Sequence, residues 1–158
     1  MLELEPHPSE GGYFAETYRS KESVEPEALP ERYGAARSFG TAIYYMLTPE
    51  TFSEMHRLKS DEVFHFYLGD PVEMLQLRPD GSGKVVILGS DVVEGMRPQF
   101  MAPREVWQGI RLRPRGKFAL MGCTVAPGFD YADYESGKRA ALVEAYPDYS
   151  ELIAQLTR

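Results

Sequence analysis

The stretch His56–Gly69, HRLKSDEVFHFYLG, decides how the rest of the chain is read. Between Glu62 and Gly69 stand six residues, Val63 to Leu68, almost all β-branched, aromatic or aliphatic. Such side chains suit a pleated, half-buried surface, so the segment is expected to be a strand. His56 precedes the acid by six residues, a distance that lets it enter the same cavity from the end of a neighbouring strand. A histidine, an acid and a glycine at these spacings are what a small β-barrel uses to build a pocket.

Strands continue on both sides of this block. Gly12–Arg19 alternates as a first strand, entered through His7-Pro8 and Gly11-Gly12. Ser20–Ala36 is acidic, broken by prolines and poor in large apolar residues, which predicts an exposed loop. Further strands are expected at Ser38–Leu47, Phe52–Leu58, Val72–Arg78, Lys84–Leu88, Gln99–Ala102, Val106–Arg113 and Phe118–Ala126. Pro79-Asp80-Gly81 is a turn, because Pro presets φ and Gly accepts a positive φ. Short strands at regular intervals with no helix between them predict an antiparallel sandwich or barrel. Near the end the period changes. Arg139, Leu142, Val143 and Tyr146 share a helical face that Pro147 terminates, and Leu152, Ile153 and Leu156 share another, capped by Ser150 or Asp148.

At 158 residues the chain is one domain's worth, with enough length to bury a core. Seventeen basic against 24 acidic side chains argue against nucleic acid or an anionic membrane as partner. A single cysteine, Cys123, excludes an intramolecular disulfide and fits a reducing, cytoplasmic setting. The opening MLELEPHPSEGG has neither a basic n-region nor an apolar run, so no signal peptide is expected there.

Several blocks together resemble the cupin superfamily and, more narrowly, its cupin-5 family, long filed as a domain of unknown function. The His56–Gly69 block follows the first cupin motif (H-x-H, a gap of three or four, E, a gap of six, G), except that Leu58 stands where the second histidine would be. His7-Pro8, Gly11 to Phe14, Glu16 to Arg19 and Gly122 to Asp130 carry the remainder of the likeness. The resemblance implies an all-β fold, a double-stranded β-helix or jelly-roll barrel, with short C-terminal helices, over 1–158 as one cupin domain. It also implies a homodimer and a likeness in fold to RmlC-type epimerases.

Cupin metals are usually held by three histidines and a glutamate. Here His56 and Glu62 are the candidate ligands, while Leu58 and Gln108 occupy two of the histidine positions. An amide added to two good ligands is a poor transition-metal set, so no metal cofactor is expected, a divalent transition metal on His56 and Glu62 being the alternative. Acid–base chemistry needs less. A pocket histidine serves as base when a carboxylate orients it, and His56 with Glu62 or with Asp130 would form such a couple. The other reading is a histidine and a glutamate that only satisfy each other in a polar core.

Tyr44, Phe64 and Gln108 are expected on the pocket wall. Arg57, which brackets a loop with Asp61, is a candidate ligand contact or half of a loop ion pair. Strand parity puts Glu62, Phe64 and Phe66 on one face and Val63, His65 and Tyr67 on the other, so His65 should point away from the cavity. The expected function is binding of a small polar metabolite, as a metal-independent epimerase or isomerase with His56 as base. A non-catalytic binding module and a metal-dependent cupin enzyme are the alternatives.

Overall fold

The computed structural model of the protein describes residues 2–158. Its strands are β1 (Glu5–Pro6), β2 (Tyr13–Arg19), β3 (Ser23–Val24), β4 (Arg37–Ser38), β5 (Thr41–Leu47), β6 (Phe52–Leu58) and β7 (Glu62–Gly69). They continue with β8 (Val72–Leu77), β9 (Gly83–Leu88), β10 (Gln99–Ala102), β11 (Trp107–Leu112), β12 (Ala119–Val125) and β13 (Tyr134–Ser136). Two helices follow, α1 (Arg139–Ala145) and α2 (Ser150–Gln155). One sheet has the order β1-β2-β5-β12-β7-β10 and the other β13-β6-β11-β8-β9, which is a jelly roll of two facing sheets.

Alternation along the strands places the main core between the sheets, where Tyr45, Leu47, Phe64, Val72, Met74, Ile110 and Met121 are buried together. A second core forms on the other side of the five-stranded sheet. Met55, Leu75 and Leu77 meet Leu142, Tyr146, Ile153 and Leu156 of the C-terminal segment there. The helices thus cover a sheet face, which is why β8 is buried at nearly every position. Ser150 is the first residue of α2 rather than its cap, and neither it nor Asp148 caps the helix through a side chain.

Gly69 has a φ of 101°, and a Cβ there would collide with the Phe118 carbonyl, which accepts from the Asp70 N–H. This left-handed turn ends β7 against β12, so the motif glycine is a steric requirement. The segment read as an open loop, Ser20–Ala36, is better anchored than its composition predicted. Tyr33 is buried and shares a hydrogen bond with Ser60 Oγ. Beside it the buried Arg37 guanidinium directs all five N–H groups to Asp133 and to the carbonyls of Tyr33, Ala35 and Ala36.

Two irregularities in the strands shape the interior. Between Glu16 and Tyr18 the pairing of β2 with β5 slips by one residue, and the extra residue is Thr17. Between Ser53 and His56 the pairing of β6 with β11 also shifts. A bulge reverses the facing of everything beyond it. Glu16 and Arg19, three apart, therefore share the inner face, and so do Ser53 and His56.

Candidate functional site

A cavity of about 200 Å³ opens between the sheets at the end where these bulges lie. Phe14, Ile43, Leu58, Val125 and Phe129 supply its apolar wall, and its polar groups come from His7, Glu10, His56 and Glu62. At its rim Arg19 is tied to Glu16 through both of its donor edges and reaches the Phe129 carbonyl.

His56 sits on β6 between Gln108 on β11 and Ser136 on β13. Its Nδ1 lies 2.7 Å from the Glu54 carbonyl oxygen, which can only accept, so Nδ1 carries the proton. The neutral ring then has a lone pair on Nε2. Tyr134 stacks on the ring at 4.9 Å and 19°, holding its plane. The Gln108 amide nitrogen is 3.4 Å from His56 Nε2 and donates at 2.7 Å to Glu62 Oε2. His56 and Glu62 are thus coupled through Gln108 rather than by direct contact. Burial pushes the Glu62 carboxyl up to about 7, aided by the charge of Glu10 and opposed by His56 and by the bonds from Gln108 and Cys123. Burial, then the neighbouring Glu62 charge, holds the Cys123 thiol well above its ordinary range, so Cys123 is a poor nucleophile here.

The N-terminal segment adds groups that the sequence reading did not select. His7 Nδ1 accepts from the backbone N–H groups of Ser9 and Glu10, at 3.3 and 2.9 Å, which places the proton of the neutral ring on Nε2. Burial is the main cause of its lowered pKa. Glu10 accepts from Ser53 Oγ, and its other oxygen stands 4.0 Å from His7 Nε2. The one available signal was the His7-Pro8…Gly11-Gly12 punctuation, which marks a turn but not where its side chains point.

Other expected site residues lie elsewhere. Tyr44 is on the outer face of its strand, edge-on to Tyr67 at 6.1 Å, because Thr41, Ile43 and Tyr45 take the inner face. Phe64 points inward with Glu62 but is packed into the main core beyond the cavity. Gln108 stands behind the cavity wall, buried, touching His56 and Glu62. Arg57 faces outward over the Trp107 ring and pairs with Glu135 and Glu105, while Asp61 instead accepts from the Arg104 N–H. Asp130 is exposed and accepts from Ala132 N–H at the start of a 3-10 turn, so it forms no couple with His56. His65 points outward, as parity requires, and bonds to Thr124 and Gln99.

The donor set does not suit a cupin metal. His56 Nε2 and Glu62 Oε2 both face an amide N–H of Gln108, and Leu58 fills another ligand position. Among the described residues no group of three or more His, Cys, Asp and Glu is arranged to hold an ion.

Two facing antiparallel sheets, a cavity at one end and a histidine and a glutamate brought to it by the two strands of the first motif define a cupin-type barrel. The chain belongs to the cupin-5 family, described as Cupin superfamily (DUF985), whose match covers residues 1–137. It is similar to the crystal structure of protein SO0799 from Shewanella oneidensis, at 33% identity and TM-score 0.87 over 100% of this chain and 93% of that one. A hypothetical protein from Leishmania major matches equally, at 33% identity and TM-score 0.87 over 99% and 94%. An uncharacterised Saccharomyces cerevisiae protein, YML079W, is 31% identical over 134 residues, 79% of this chain and 66% of that protein's length. Oxalate decarboxylase from Bacillus subtilis shares the fold alone, at 15% identity and TM-score 0.57 over 98% of this chain and 37% of that one.

Proposed function

We propose that the cavity binds a small polar metabolite and that the protein is a metal-independent isomerase or epimerase with His56 as its base. The observation that carries this reading is the lone pair on His56 Nε2. The Glu54 carbonyl holds the proton on Nδ1, so Nε2 is an acceptor at the cavity wall, met only by a long 3.4 Å contact from the Gln108 amide that an incoming proton would displace. A base of this kind works near neutral pH without a metal, and Glu62, joined through Gln108, stabilises the imidazolium formed when the proton arrives.

Size and charge narrow the substrate. A cavity of about 200 Å³ has room for a sugar-sized molecule. Three glutamates line it, Glu10, Glu62 and the Glu16 already paired with the rim arginine, which disfavours a strongly anionic ligand. We also propose a two-fold homodimer through the outer face of the six-stranded sheet, where Tyr18 and Tyr67 are each about half exposed beside Tyr44.

Incubation of the protein with small aldoses and ketoses in D2O, followed by NMR, tests the activity. Loss of a proton signal α to a carbonyl in the wild type, abolished in His56→Gln, is the expected result. Saturable binding of a sugar without exchange would make the protein a binding module and overturn the catalytic reading.

A further inference from the structure

The two cavity histidines are held in opposite tautomers by backbone groups that cannot change role. The Glu54 carbonyl forces the proton of His56 onto Nδ1, and the Ser9 and Glu10 N–H groups force that of His7 onto Nε2. One ring therefore carries its lone pair on Nε2, met only by the long 3.4 Å contact from the Gln108 amide, and the other offers the cavity an N–H. Among the described residues the Nε2–H of His7 has no acceptor in hydrogen-bond range; Glu10 Oε2, its nearest anion, is 4.0 Å away. His7 is packed at 4.8 Å against Phe14, with Tyr131 at 6.2 Å, so the ring is fixed where it lines the cavity.

We propose that His7 is a second catalytic group of this cavity, a neutral electrophile whose Nε2–H holds the carbonyl oxygen of a small α-hydroxycarbonyl substrate. The proposal rests on the reading of His56 as base. In the step it describes, the C–H bond next to the carbonyl breaks and its proton passes to His56 Nε2. The bonding pair forms the C=C bond of an enediolate, and the carbonyl π pair moves onto the oxygen held by His7. His56 then returns the proton to the former carbonyl carbon while the hydroxyl proton passes between the two substrate oxygens. An aldose becomes a ketose, and no oxidant, reductant or co-reactant is consumed. A neutral imidazole suits this role because it donates a hydrogen bond without giving up its proton, and burial, which lowers the His7 pKa, keeps it neutral.

Two substitutions separate catalysis from architecture. In His7→Asn the amide oxygen takes the place of Nδ1, so the bonds from Ser9 and Glu10 are kept and the Nε2–H is lost. In His7→Gln an amide N–H reaches the Nε2 position and the backbone bonds are lost. With a panel of small aldoses and ketoses in D2O, His7→Asn is expected to keep its melting temperature and lose roughly 100-fold in kcat with little change in KM, the usual cost of removing one oxyanion donor. His7→Gln should melt lower yet exchange faster than His7→Asn. The reverse ranking, activity following stability, would make His7 a loop cap and overturn the proposal. Exchange that is abolished by His56→Gln but unchanged in His7→Asn overturns the role of His7 alone. Absence of exchange in the wild type with every sugar overturns the isomerase reading and this role with it. Nitrogen-15 NMR checks the tautomers independently of turnover, and a His7 ring protonated on Nδ1 overturns the proposal.

Discussion

Glu54 sets the tautomer of His56 by accepting its Nδ1–H on a main-chain carbonyl 2.7 Å away. The carboxylate of Glu54 in turn accepts from Tyr134, Ser136 and Arg158. Arg158 also donates to the carbonyls of Ser9 and Glu10, and the Glu54 N–H donates to Glu10 as well. One glutamate thus joins the β6 bulge, the aromatic ring stacked on His56, the chain's last residue and the turn that carries His7. The two histidines are positioned by a common support.

Arg158→Ala should loosen that support. Its side chain is more than half exposed, so the pair with Glu54 is partly screened, and the loss is expected to be about 1 kcal/mol. For a domain of this size that is a drop of about 2–4 °C in melting temperature. Sugar affinity should fall as well, because the His7 turn loses two carbonyl anchors. Unchanged melting and binding would show that the last residue supports nothing.

Glu62 gives a pH signature. Its carboxyl is raised from 4.5 to about 7 in the folded protein, so between those values the folded state holds more proton than the unfolded one. Stability linked to Glu62 is therefore complete below about pH 4.5 and is lost as pH rises through about 7. Glu62→Gln removes the titration and keeps an acceptor for Gln108. The variant should gain stability over wild type as pH is raised from 5 to about 8, by on the order of 1–3 kcal/mol. His7, shifted the other way, is common to both proteins and cancels in the difference. Melting curves across this range that stay parallel would show that Glu62 is not held up in this way.

Metal affinity should be restorable. Leu58 lines the cavity two residues after His56 on β6, and Gln108 touches both His56 and Glu62. Leu58→His with Gln108→His would assemble three imidazoles and a carboxylate, a set suited to first-row transition ions. Elemental analysis of untagged protein after dialysis should find about one equivalent of metal in the double variant and no stoichiometric metal in the wild type. An equivalent in the wild type would return the metal-dependent reading.

His56→Ala separates a pocket base from an architectural histidine. Its ring bonds a backbone carbonyl and approaches the Gln108 amide, so truncation leaves partners unpaired and should cost about 1–3 kcal/mol. Sugar binding should be lost in protein that is still folded. Affinity retained despite a lower melting temperature would leave His56 as architecture only.

The homodimer is testable by light scattering at micromolar concentration, where twice the 17.9 kDa chain mass is expected. Tyr67 covers Gly122 on the outer face beside Tyr44, and Tyr67→Lys should return the monomer mass while leaving the fold unchanged. Wild-type protein that runs only as a monomer would remove the proposal.

Much of the fold was legible because strand chemistry is local. Alternation along Val63–Leu68, the glycine that ends it and the change of period after Arg139 each follow from the side chains alone, and so does the outward turn of His65. Residues that alternate regularly also declare their face, which is why Glu62 could be assigned to the interior. Tyr44 could not, because Ser38–Leu47 read as one strand conceals the break at Phe39-Gly40, and only the pairing with β12 reveals that its inner face is the Thr41, Ile43, Tyr45 face. Bulges at Thr17 and between Ser53 and His56 have no mark in composition, since a slip in register is a relation between two strands. The partners of His56 belong to the same class. Gln108 meets it across a strand pair, Tyr134 arrives from β13, and the turn that carries His7 is held at the Ser9 and Glu10 carbonyls by Arg158 from the other end of the chain. The sequence by itself determined which segments become strands and that a histidine and an acid face one interior. Only the tertiary structure decided which nitrogen of each histidine carries its proton: the backbone groups that fix it are near neighbours in sequence, but the pairing of β6 with β11 and the bonds from Arg158 set the bulge and the turn that aim them at the rings.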